Sequence, residues 1–145
     1  MKATTIISQF ETQGLNFVNG RHHYYGDLKI DGDVVIWDNI VVIHGDLVVG
    51  GNLDAHGRII CLGNIQVGGD FTAGANVIAN NIAVGGRFGC YGSVRIKSDL
   101  EVGSYFWVDG NLSAQEVKVN DISTVHGWML ASAVDGVVLV DKESL

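Results

Sequence analysis

The chain has 145 residues, a formal net charge of -7, 47% hydrophobic residues, 20 glycines and no proline. That length suits one domain with a continuous core. The acidic balance excludes the basic surface that nucleic acid or an anionic membrane requires, and no apolar run reaches the roughly 18 residues of a membrane span.

Residues 1–24 differ in pattern from the rest of the chain. The opening "MKATTIISQF" has neither the apolar stretch nor the small-residue cleavage site of a secretory signal, so a cytoplasmic location is expected. Ile6, Ile7, Phe10, Phe17 and Val18 supply apolar surface, and Ser8 with Glu11 has the spacing of a helix-capping box. The segment is expected to cap the adjoining domain as a short helix or an irregular plug.

From Tyr25 the chain divides into units of about six residues: YGDLKI, DGDVVI, WDNIVVI, HGDLVV, GGNLDA, HGRIIC, LGNIQV, GGDFTA, and so on to QEVKV. Each reads turn residue, Gly, Asp or Asn, large apolar, any residue, apolar or small. Positions four and six lie two apart and share one face of a short strand, while position five points away. Three units make a turn of 17 to 19 residues. With that grouping, like stacks on like. Val49, Val67, Val84, Val102 and Val119 fall in one column, and Leu53, Phe71, Phe88 and Phe106 in another. The partners of the phenylalanines are small, Ala73 and Cys90 among them, so large faces small across a fixed section. The five-residue units NNIAV and QEVKV each end a turn and keep the register.

The fold predicted is therefore all-β: a single-stranded β-solenoid over residues 25–140, with three short strands and about 18 residues per turn and roughly six turns. Its glycines give tight corners their backbone conformations, and the Asp or Asn after each glycine bonds nearby backbone. "VDGVVLVDKESL" supplies a last strand at 137–140 and a charged tail, 141–145, a weak cap over an open edge.

The phrases "YGDLKIDGDVVI", "HGDLVVGGNLDAHG" and "LGNIQVGGDFTAGANV" resemble the bactofilins, bacterial cytoskeletal proteins, and the likeness runs from about residue 25 to 131. The resemblance implies a right-handed β-helix core and nucleotide-independent polymerisation, head to head and tail to tail. The proline-containing tails that flank bactofilin cores have no counterpart in these residues. Left-handed hexapeptide solenoids place a small residue before the large aliphatic. Here the order is reversed, as in Leu47 then Val49, Leu53 then Ala55, and Phe71 then Ala73. The zinc and acyl-CoA chemistry of those enzymes is not expected.

Nothing in the pattern calls for a catalytic, cofactor or metal site. Cys61 and Cys90 lack metal-ligand spacing and read as buried thiols. His44, His56 and His126 fall at corners in different columns or distant turns, and the His22–His23 pair precedes the repeats. Solvated histidines are expected. Asp54, Asp70, Arg87 and Arg95 point outward, but no unit carries an insertion long enough to wall a cleft. A non-enzymatic protein without cofactors is expected.

Two functions fit such a chain. One is a structural scaffold that self-associates through solenoid ends or faces, as the resemblance implies; the other is a compact protein-binding module, such as a bacterial immunity or inhibitor protein. The partner is a second copy or another protein, with no nucleic acid and no membrane insertion. Expected interface residues are Val41, Ile60 and Ile78 in one outward column, Tyr105 and Trp107 in another, and Val138 on the terminal strand.

Overall fold

A chain that alternates inward and outward side chains at every residue encloses a core only by turning a corner every few residues. The computed structural model describes residues 4–7, 15–18, 21–37 and 39–141, with side chains from residue 23 onward. These residues hold 23 strands of two to five residues and no helix, and so no helix long and apolar enough to cross a membrane. The strands stack into three sheets of eight, seven and eight members, a β-solenoid of about six turns with about 18 residues per turn.

Each sheet takes one strand from every turn. The phenylalanine sheet contains Leu53–Ala55, Phe71–Ala73, Phe88–Cys90 and Phe106–Val108, and closes on Ser123–Val125 and Val138–Val140. The valine sheet runs from Leu28–Ile30 to Ala133–Asp135, and the isoleucine sheet through Ile40–His44, Arg58–Cys61, Val77–Ala79 and Val94–Ile96 to Met129–Leu130. The registers reproduce the columns read from sequence: Val49 with Val67, Val67 with Val84, Val84 with Val102, and Val102 with Val119. Leu53 pairs with Phe71, Phe71 with Phe88, and Phe88 with Phe106.

These columns are the core. Phe71, Phe88 and Phe106 are fully buried, and the Phe71 and Phe88 rings stack with centroids 4.9 Å apart. Each buried ring contributes about 1.5–3 kcal/mol by leaving water. The column ends at Ser123, the one buried polar residue among those described; its hydroxyl accepts from the Phe106 N–H at 2.9 Å and donates to the Asp121 carbonyl at 3.1 Å. Val138 pairs with Ser123 in the last turn.

The corners correct two details of the sequence reading. Among the described residues only Gly26 and Gly136 have positive φ, 108° and 125°, so most corner glycines are not there for a special conformation. They are there for space. A Cβ on Gly68, Gly85 or Gly103 would stand 2.4, 2.3 or 2.1 Å from the carbonyl oxygen of Gly50, Gly68 or Gly85, one turn earlier. The Asp and Asn side chains, likewise, bond between turns rather than within them. Asp33 Oδ1 accepts from the Asn52 N–H, Asn52 Oδ1 from Asp70, and Asp70 Oδ1 from Arg87, at 2.8–2.9 Å. A second corner repeats this from Asp27 to Asp46 to Asn64, and a third from Asn76 to Ser93 to Asn111 to Trp128. Stacked corners bring a carboxylate or amide oxygen closer to the next turn's amide than to its own.

The segment before Tyr25 contributes strands where the sequence suggests a helix or plug. Thr4–Ile7 lies parallel to Asp33–Ile36 at the edge of the phenylalanine sheet. Leu15–Val18 pairs antiparallel with Arg21–Tyr25, which is itself the first parallel strand of the isoleucine sheet. Runs such as TTII and LNFV are rich in β-branched and aromatic residues, and an open sheet edge satisfies their backbone at once. Ser8, Phe10 and Glu11 lie outside the described residues.

Candidate functional site

Every outward position of the solenoid is fixed by its sheet register, so the six expected interface residues have definite places. Val41 is the exception to the expected pattern: it faces the core, fully buried, paired with Ile59. The unit WDNIVVI has seven residues, and its extra residue falls at the corner before Ile40. Val41 and Ile43 thus become the inward pair. Val42 takes the outward place beside Ile60 and is itself buried. Ile60 is half-buried and Ile78 exposed, and the column continues through Arg95 and Ser113. The apolar stripe is therefore short.

Tyr105 and Trp107 do point outward, on the phenylalanine sheet. Trp107 pairs with Gly89, and a Cβ added to Gly89 would fall 2.3–2.4 Å from the indole carbons Cζ2 and Cε2. The ring thus lies across the glycine, which is buried beneath it. Tyr91 meets the indole edge-on, centroids 4.7 Å apart. Beside them Arg87 Nη2 donates to Asp70 Oδ2 at 3.0 Å. The Arg87 backbone N–H, first, and its guanidinium, second, hold the Asp70 carboxyl below its ordinary value. The guanidinium is in turn held protonated by Asp70 and then by Tyr105. Asp70, Thr72, Arg87, Gly89, Tyr105 and Trp107 line a shallow recess of about 250 Å³. Sequence reasoning missed Gly89 and Tyr91. The signal was a glycine between Thr72 and Trp107 in an outward column, the same large-over-small rule that fills the inside.

A depressed carboxylate stabilises the fold above its unfolded-state value, and that contribution is lost as pH falls through the lower folded-state value. Asp70→Asn keeps an acceptor for the Arg87 N–H but has no proton to gain. We expect its urea midpoint near pH 7 to sit slightly below wild type and its decline on acidification to be shallower. Parallel acid limbs for the two proteins would show that Asp70 is not coupled to folding.

Cys61 and Cys90 belong to the core. Both thiols are free and buried; burial pushes Cys90 up to about 11 and raises Cys61 as well, so neither is a ready nucleophile. His23 Nδ1 and His44 Nε2 are 2.9 Å apart, a pairing across turns that the sequence reading did not anticipate. His44 also stacks on Tyr25, and His56 stacks on Trp37 with centroids 4.0 Å apart. His126 Nδ1 lies 2.5 Å from Asp141. Among the described residues no three His, Cys, Asp or Glu side chains group closely enough to hold a metal ion.

The end of the molecule opposite the first turn presents several exposed apolar side chains. Met129–Leu130, Ala133–Asp135 and Val138–Val140 are the outermost strands of their sheets there. Leu130, Val134, Val137, Leu139 and Val140 are exposed, and Val138 is half-buried against the core. In comparisons with known proteins, no family model, curated protein or solved structure matches this chain.

Proposed function

We propose that the protein is a non-enzymatic structural scaffold that self-associates through its solenoid, with the last turn as the principal contact. The observation that carries this is the set of three outermost strands whose apolar side chains are open to solvent. Strand edges with unpaired N–H and C=O groups, next to the exposed end of a core, favour addition of another strand layer. The bactofilin-like phrasing of the repeats supports the same reading. One observation favours the alternative of a compact protein-binding module: at the first turn an antiparallel strand, Leu15–Val18, ends the parallel stacking of the isoleucine sheet, one of the three. A particle with only one stackable end pairs and stops.

The two readings separate by particle size. As a scaffold, the protein should scatter light as particles that grow with concentration beyond the 15.5 kDa chain, with elongated objects by negative-stain microscopy. Val138→Glu places a charge on the terminal layer, and we expect it to reduce those particles to single chains or pairs while the circular dichroism of the remaining turns persists. Wild-type protein that stays a single chain at all concentrations would overturn the scaffold reading. Normal growth by Val138→Glu would move the contact elsewhere.

A further inference from the structure

The recess on the phenylalanine sheet is built differently from the apolar end. Its floor is one indole, laid flat over Gly89 and braced edge-on by Tyr91. Its rim is polar: the Asp70 carboxylate, the Arg87 guanidinium, the Thr72 side chain and Tyr105. We propose that this recess binds a ring of a neutral oligosaccharide, stacked on Trp107 with its hydroxyls on the Asp70–Arg87 pair.

The chemistry of the two partners corresponds. A pyranose offers C–H bonds on its faces and hydroxyls around its edge, each hydroxyl able to donate and accept. An immobilised aromatic face meets the first requirement at little entropic cost, because Gly89 below and Tyr91 beside it already hold the ring. A carboxylate and a guanidinium held 3.0 Å apart meet the second, since one only accepts and the other only donates. Because their charges cancel, the site has no unpaired cation to attract a phosphate or carboxylate. The polar rim around a single ring also differs from a protein hot spot, which needs a wider desolvated area.

The shape adds a constraint on ligand length. The recess is shallow and takes its lining from three successive turns, so it suits an internal ring of a chain rather than an enclosed monosaccharide. Stacked turns rise by about 4.8 Å, comparable to one ring of an extended β-linked glycan. Three turns from Tyr91, on the same corner column, Trp37 stacks on His56, and Gly74 leaves the corner clear between them. Backbone bonds from His56 N to Ile36 O, Gly74 N to Ala55 O and Tyr91 N to Ala73 O fix that column. A glycan lying along the axis would reach both aromatic platforms. Such binding does not depend on self-association.

The test is a titration of ¹⁵N-labelled protein with cellohexaose, chitohexaose and, for contrast, anionic hexagalacturonate. Either neutral hexasaccharide should shift the Trp107 indole N–H at millimolar concentration or below, with hexagalacturonate weaker. Trp107→Ala should weaken that binding by about tenfold or more, and Arg87→Met should also weaken it, both at unchanged particle size. Trp128→Ala, on another sheet's approach, should leave it unaltered. If Trp107→Ala fails to fold, Arg87→Met carries the test. No shift at Trp107 with either neutral sugar, equal binding by Arg87→Met, or a preference for hexagalacturonate would overturn the proposal.

Discussion

Phe88→Asp should leave no folded protein at neutral pH, giving a disordered circular dichroism spectrum and collapsed amide dispersion. Phe88 is fully buried, with Phe71 before it and Phe106 after it in one column. Truncating such a ring to alanine costs about 3–5 kcal/mol. An aspartate adds an unpaired charge in a buried position surrounded by apolar side chains, against a total stability of only about 5–15 kcal/mol. Phe88→Leu is the informative companion, because Leu53 already occupies this column. It should fold and melt at a lower temperature than wild type. A cooperative melt of Phe88→Asp close to the wild-type transition would mean that this column is not the core.

The second large effect concerns a residue with no side chain at all. Gly85 donates its N–H to the Val67 carbonyl at 2.8 Å, and a Cβ at this position would meet the Gly68 oxygen at 2.3 Å. No rotamer relieves that contact, since the backbone fixes the position of the Cβ and its partner is a backbone oxygen. Gly85→Ala should therefore destabilise by about 1–3 kcal/mol, in the range of overpacked cores, and Gly85→Val by more, read as a fall in urea midpoint. The expected sign is opposite to that of an unstrained Gly→Ala change, which stabilises by about 0.4–1 kcal/mol through the unfolded chain. A rise in midpoint for Gly85→Ala would show that the corner has room and that glycine stands there for some other reason. Gly26 makes a useful contrast, because nothing lies within 4 Å of its added Cβ and only its φ of 108° opposes substitution.

The inward half of this protein was legible because its rule is periodic. A strand face repeats every second residue, and a closed section demands that large side chains face small ones, so the valine and phenylalanine columns follow from counting alone. Counting fails where the period slips. The extra residue in WDNIVVI is absorbed at a corner, which turned Val41 inward, and no local feature of the sequence says which corner yields. The first residues were hard to read for another reason: Thr4–Ile7 and Leu15–Val18 become strands because sheet edges are available to them, a tertiary feature that local sequence does not show. The outward site was half legible. Tyr105 and Trp107 follow from alternation, but their meeting with Gly89, Tyr91 and the Asp70–Arg87 pair spans three turns and depends on rotamers. The His23–His44 contact was hidden in the same way, since it joins a residue before the regular repeats to one within them.

The Asp and Asn rungs at the corners carry a consequence for how the molecule comes into being. Each rung ties the amide of one turn to the oxygen of its predecessor, so a turn finds its shape only on a finished template. The coupling is to neighbours alone, 17 to 19 residues away. Assembly of this kind resembles a row of dominoes standing up in order, suited to a chain that emerges from one end, and its reverse is peeling rather than collapse. Amide exchange should accordingly be slowest in the middle turns and quicken towards Val138–Val140. The layer offered to a partner would then be the one most readily remade by it.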